Sequence, residues 1–205
     1  MADCCCAAEN VDLKNRHNKK LRNVFVFVLL VNLVMFFVEA IAGFLSHSNA
    51  LTADSLDMLA DTFVYGISLF VVFRNDKAKA RASLLKGIVM SLLGIYVVFA
   101  TVIKIIHPVL PTAETISIIG GVALLANALC LYVLSRYKSS DLNMKSAWIC
   151  SRNDVFGNVS VIVAGLLVAY FNSMIPDILV GLGIAVFVLH SSIGIIREAL
   201  KADRV

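Results

Sequence analysis

Six stretches of this chain are long and apolar enough to cross a lipid bilayer, and that pattern constrains the fold more than any motif does. They cover about residues 24–46, 51–73, 87–106, 114–135, 142–171 and 177–196, each near the roughly 20 residues that a hydrocarbon core demands of a helix. In lipid a segment must satisfy its own backbone N–H and C=O groups, so such stretches fold as helices. The expected class is all-α, a polytopic membrane protein with six transmembrane helices. Composition agrees: 60% of the residues are hydrophobic and only three are proline. The spans leave no room for a soluble domain. The chain divides into a flexible tail at 1–22, a transmembrane domain at 23–196 and a short tail at 197–205. The first span exceeds the apolar core of a signal peptide and no clear cleavage pattern follows it, so it is expected to stay in the protein.

Charge placement sets the orientation. Lys14, Arg16, Lys19, Lys20 and Arg22 precede span one; Arg74, Lys77, Lys79, Arg81 and Lys86 separate spans two and three. Arg136, Lys138 and Lys145 lie between spans four and five, and Arg197, Lys201 and Arg204 follow span six. The alternate loops, around 47–50, 107–113 and 172–176, hold no Lys or Arg. The positive-inside rule then puts both termini in the cytoplasm. The net charge of +4 is spread over these loops rather than gathered in one patch with aromatics, which argues against nucleic-acid binding.

Against this apolar background the acidic residues of span two stand out. An Asp near the middle of a spanning helix costs about 2.5–3.5 kcal/mol on insertion scales, yet "ALTADSLDMLAD" carries Asp54, Asp57 and Asp61. Asp57 and Asp61 share a helix face, about 12 and 18 Å from a start at Asn49. Span five holds a matching set, with Cys150, Asp154 and Asn158 four residues apart in turn. A start near Ser140 or Asp141 puts Asp154 about 19–21 Å in from the opposite side, so the two pairs can meet at one depth. Asp57, Asp61, Cys150 and Asp154 make four donors, the number a tetrahedral Zn²⁺ site takes. A cation among them offsets the cost of burying the carboxylates. Taken singly, a membrane Asp is ordinarily a helix–helix hydrogen bonder and a Cys in an apolar run a packing residue. The matched spacing on two helices favours function for Asp57, Asp61 and Asp154; Asp54 divides between an outer vestibule and a helix N-terminal role.

Here the sequence resembles a known family. "NLVMFFVEAIAGFLSHSNALTADSLDMLAD", "CSRNDVFGN" and "IPDILVGLGIAVFVL", within a similarity that covers about residues 20–200, resemble the transmembrane domain of the cation diffusion facilitator metal transporters. The resemblance implies six spans with cytoplasmic termini and a transport site that pairs a His/Asp-x-x-x-Asp motif on span two with one on span five. Those positions are Asp57, Asp61, Cys150 and Asp154 here. It implies a secondary transporter, not an enzyme, that exports divalent cations from the cytoplasm in exchange for protons, in a bacterial inner membrane, with no cofactor beyond the transported ion. Two features depart from the family: only Arg197 to Val205 follows span six, where relatives continue into a cytoplasmic domain, and Cys150 stands where His or Asp is usual. A thiolate donor points to Zn²⁺ or Cd²⁺ over Mg²⁺ or Mn²⁺.

Other residues carry weaker expectations. Asn32 and Glu39 share a face of span one, where Glu39 is expected to be structural rather than to line a path. Arg152 should face the interior and pair with a carboxylate, while Lys104 should snorkel outward. His190 is expected to take a hydrogen-bonded packing role rather than to ligate, and Asn127 and Asn158 are expected to bond between helices. Cys4, Cys5 and Cys6 lack C-x-x-C spacing; a soft-metal capture tail and palmitoylation are the two readings. A homodimer through the transmembrane helices has candidates in the small residues Ser91, Gly94, Gly181 and Gly183, although small residues more often serve packing within one subunit. Two other function classes are weaker: an intramembrane aspartyl protease lacks its Gly-x-Gly-Asp signature, and a non-transporting metal sensor or scaffold gives the paired aspartates less to do.

Overall fold

A computed structural model gives the chain as helices: α1 (Ala2–Leu45), α2 (Asn49–Val71), α3 (Asp76–Ile106), α4 (Ala113–Ser135), α5 (Leu142–Phe171) and α6 (Ile175–Asp203). It describes the backbone of residues 2–71, 76–137 and 142–203. Within these helices the side chains of residues 2–19, 64, 67–68, 70–71, 76–83, 86, 142–147, 149–150, 198 and 201–203 lie outside what it describes. The protein is all-α, as its apolar stretches require. Among the described residues, five helices are apolar enough to cross a membrane. The sixth, α2, has the length for it at 23 residues but carries the three aspartates. The first helix runs back to Ala2, through a segment with no glycine or proline to stop it.

Polarity is arranged as lipid demands. Large apolar side chains such as Phe44, Leu125 and Tyr170 point outward, while Asn32, Glu39, Asp54, Asp61, Lys104, Asn127, Asp154 and Asp177 are buried. The helices pack chiefly in pairs, α1 on α2, α3 on α6 and α4 on α5. The α3–α6 contact depends on absent side chains. A Cβ on Gly94 would sit 2.7 Å from Leu189 Cγ, and one on Gly87 would sit 2.6 Å from Ile196 Cγ1. Between them Ser91 Oγ and Ser192 Oγ are hydrogen-bonded at 2.9 Å. Gly181 likewise admits the start of α2, where a Cβ would lie 2.8 Å from the Asn49 backbone. Of the two uses open to Ser91, Gly94 and Gly181, a dimer surface or packing inside one chain, the structure shows the second, because small residues let backbones approach whichever helix is nearest.

Three short turns meet at one end of the bundle. In the first, His47 takes a left-handed φ of 53° and Ser48 N donates to Gly43 O at 2.9 Å, which closes α1 before α2 begins. The α3–α4 connection is tied to it by Thr112 N donating to Ser46 O at 3.1 Å.

Asp177, near the start of α6, organises this end. Its carboxylate accepts from Ser48 Oγ at 2.5 Å, Asn49 N at 2.8 Å and Ala50 N at 3.2 Å, so it caps the N-terminus of α2 from another helix. Lys104 Nζ, near the end of α3, donates to Asp177 Oδ2 at 2.8 Å and also to His47 O. Asn49 Nδ2 completes the set by donating to Thr101 Oγ1 at 2.8 Å. Lys104 therefore does not snorkel outward: a fully buried carboxylate within reach outweighs the route to the headgroups.

Candidate functional site

The acidic residues of α2 and α5 come together around mid-helix. Asp154 on α5 and Asp61 on α2 are buried, and their carboxyl groups adjoin closely enough to share a hydrogen bond. Tyr65, one turn on from Asp61, donates its hydroxyl to Asp61 Oδ2 at 3.1 Å. Asp154 Oδ2 has no hydrogen-bond donor, although it is buried. Asp57 is half-buried rather than sealed, because it borders a cavity of about 440 Å³ between α2, α5 and α6. Asp54 borders the same cavity, together with Asn153, Gly157 and Ser160 of α5 and Val180, Gly183, Ile184 and Phe187 of α6. Two helices thus place Asp57, Asp61 and Asp154 at one interface, as their i, i+4 spacing requires.

Cys150 lies on α5 one turn before Asp154, and its side chain, expected as the fourth donor, is outside the described residues. The side chains of Cys4, Cys5 and Cys6 are outside them too. Among the described residues, no three Cys, His, Asp or Glu side chains stand close enough to grip one ion together. The three aspartates share an interface without closing on a single point.

On the far side of Asp61 from the short turns lies an apolar cluster. Val28, Tyr65, Cys130 and Leu134 form a buried cluster, with Phe25, Tyr137 and Trp148 packed against it. Cys130 is a thiol that sequence reasoning passed over. It is fully buried on α4, in the same cluster as Tyr65, which holds Asp61, and a lone Cys in an apolar run gives no sign of that neighbour. Asn127 bonds between helices as expected, donating to Met58 Sδ at 3.8 Å. Asn158 does not: its amide donates to Asp154 O at 2.8 Å, within its own helix. Arg152 is exposed with its guanidinium 5.4 Å from the Trp148 ring, not inward on a carboxylate, since a face of indole is available beside it at the bundle surface. His190 is exposed on α6.

Two further buried acids lie nearer the short turns. Glu39 of α1 is completely buried, faces Asp54 of α2, and neither of its oxygens has a donor. The signal was present in the sequence. Glu39 lies six residues before the end of α1 and Asp54 five after the start of α2, so two antiparallel helices joined by a three-residue turn bring them to one level.

Comparison with known proteins bears on this arrangement. A family model described as the cation efflux transmembrane domain matches residues 25–202. The chain is similar to a "Cadmium, cobalt and zinc/H(+)-K(+) antiporter" of Bacillus velezensis, at 27% identity over 84% of this chain and 61% of that protein. It is similar to the cation efflux system protein CzcD of an Alcaligenes species, at 24% over 80% of this chain and 58% of that protein. It is also similar to the zinc transporter ZitB of Yersinia pestis, at 26% over 94% of this chain and 65% of that protein. The chain spans about three fifths of the length of these curated relatives.

Proposed function

This chain belongs to the cation efflux family, and from that membership and the geometry of the α2–α5 interface we propose that it is a secondary transporter. It exports divalent transition-metal cations, zinc or cadmium foremost, from the cytoplasm in exchange for protons. Its place is the bacterial inner membrane, with both termini on the cytoplasmic side, in keeping with the Lys and Arg distribution. The observation that carries the reading is the meeting of Asp61 and Asp154 in the membrane interior with Asp57 beside them on a cavity. Buried carboxylates at that depth are rare without an ion or proton to handle.

Asp57, Asp61 and Asp154 are the assigned ligands of the transported ion, with Cys150 as the fourth. Carboxylates and thiols bind a cation only when deprotonated, so metal uptake releases protons and protonation expels metal. If the bundle rocks around a midplane site, that competition couples export to an inward proton gradient. The names of the relatives support cadmium and zinc as cargo. A second copy would dock through lipid-facing surfaces, and cross-linking in native membranes tests for it.

Metal-dependent proton movement in vesicles reconstituted with the full chain is the decisive measurement. Zn²⁺ added on one side should drive a counterflow of protons that vanishes in Asp61→Ala and Asp154→Ala. Binding of Zn²⁺ with no flux of either ion would instead mark a membrane sensor.

A further inference from the structure

Tyr65 brings a hydroxyl into surroundings that are otherwise apolar. It lies on α2 with 1% of its surface exposed, in a cluster with Val28, Cys130 and Leu134. Phe25 of α1 packs on its ring, with the two centroids 6.1 Å apart. A phenylalanine supplies the same ring without burying a polar group. A buried phenol needs an acceptor, and this one donates to Asp61 Oδ2 at 3.1 Å. The carboxylate, rather than the packing, accounts for the hydroxyl.

We propose that Tyr65 is a positioning residue that sets metal specificity: by holding Asp61 Oδ2 it makes Asp61 meet the transported ion through one oxygen, which favours Zn²⁺ over the larger Cd²⁺. The proposal deepens, and rests on, the assignment of Asp61 as a ligand of that ion. Zn²⁺ takes four donors, with oxygens at about 2.0–2.2 Å, and a carboxylate bound through one oxygen fits that shell. Larger cations gather more oxygens and accept both from a single carboxylate, as Ca²⁺ does. The bond from Tyr65 draws electron density from Oδ2 and fixes the plane of the carboxylate. Turning both oxygens onto one ion means giving that bond up, which strands a buried donor. The penalty falls on the ion that needs both oxygens.

The arrangement is built into one helix. Tyr65 follows Asp61 by four residues, and aromatic side chains on a helix lean back towards its N-terminus, so the hydroxyl is aimed at the residue one turn before. Asp154 reaches the interface from α5 instead. A rigid shift of α2 against α5 alters the relation between the two aspartates but carries Tyr65 and Asp61 together. Asp61 therefore presents the same face to an ion wherever α2 stands. Asp154 is held differently, since its buried Oδ2 has no donor. It is left to turn towards the ion, while Asp61 is set by its own helix.

The test compares two ions. Zn²⁺ and Cd²⁺ affinities of the purified full chain in detergent are measured for the wild type, Tyr65→Phe and Phe25→Leu. Removing the partner of a metal ligand changes affinity about 10–100-fold, and here the change should be unequal, moving the Zn²⁺/Cd²⁺ ratio of Tyr65→Phe towards Cd²⁺ by about tenfold. Phe25→Leu loosens the same packing but keeps the hydroxyl, so its ratio should match the wild type. An unchanged ratio in folded Tyr65→Phe overturns the proposal, as does an equal shift in Phe25→Leu, which would make packing the cause. Infrared difference spectra on adding Cd²⁺ need no variant at Tyr65. A carboxylate bound through one oxygen separates its two C–O stretches more widely than one that chelates. A widely separated pair that is lost in Asp61→Asn supports the proposal. A narrow, chelating pair lost in Asp61→Asn refutes it, and so does a spectrum that Asp61→Asn leaves unchanged, since Asp61 would then not bind the ion. A wild type that binds both ions but moves neither across vesicles refutes the transport reading and leaves this test in force; one that binds neither refutes both.

Discussion

Replacing Lys104 by Met tests how the short-turn end is held together. Met keeps most of the length and apolar stem but removes the ammonium that donates to Asp177 Oδ2 and His47 O. Asp177, which is fully buried, keeps Ser48 Oγ, Asn49 N and Ala50 N but loses its counter-ion. Breaking a buried pair from one side costs about 3–5 kcal/mol. The N-terminus of α2 still faces the stranded carboxylate and recovers on the order of 1 kcal/mol, so the expected net loss is about 2–4 kcal/mol. Asp177→Asn should cost at least as much, because either placement of the amide turns its NH₂ towards a backbone N–H of α2. The double variant should lose clearly less than the sum of the two, since both remove one shared interaction. Reversible unfolding in mixed micelles, run as a double-mutant cycle, gives all three values. A Lys104→Met loss below about 1 kcal/mol, the range of exposed ion pairs, would refute the argument that this pair is buried and bonded.

Other outcomes follow from the same structure. Asp57→Ala, Asp61→Ala and Asp154→Ala should each abolish metal flux in vesicles while the protein still inserts; near-normal flux in any one removes that residue from the site. Gly94→Val should lower stability by about 1–3 kcal/mol by forcing a side chain into Leu189, whereas Gly121→Ala, with nothing within 4 Å, should cost nothing measurable by thermal melting. Cys150→Asp should move metal preference towards harder, oxygen-favouring ions and Cys150→Ser should weaken Cd²⁺ more than Zn²⁺; unchanged competition binding in both would show that the thiol is not a donor.

The parts of this protein that sequence reasoning reached are those governed by spacing along one helix. Apolar length predicts the spans, and i, i+4 arithmetic puts Asp57 with Asp61 and orders Cys150, Asp154 and Asn158 along α5. What it missed depends on partners far apart in the chain. A lysine near the end of an apolar run looks the same whether it reaches for headgroups or for a carboxylate 73 residues away, so Lys104 was misplaced. Arg152 fails for a related reason, because an aromatic face one turn back satisfies a guanidinium as readily as an inward acid. Small residues mark close approach but not the approaching helix, which is why Ser91 and Gly94 leave a second copy and a helix of the same chain equally open in the sequence, where the structure has α6.

Among the described residues, the hydrogen bonds from α2 to α3 and α6 lie at its start, and a helix held there can act as a lever. Its first turn is pinned to α3 and α6 through Asn49, Ala50 and Ser48, while its other end leads towards the basic loop. Displacement under a tilt grows with distance from the pivot. At 1.5 Å per residue, Asp57, Asp61 and Val71 sit about 12, 18 and 33 Å from Asn49, so a tilt of about 10° carries them roughly 2, 3 and 6 Å. Asp57 moves least, Asp61 half as far again, and the far end of α2 the most. A helix hinged in this way can loosen one carboxylate of a pair before the other, giving an ion held between them a preferred direction of departure.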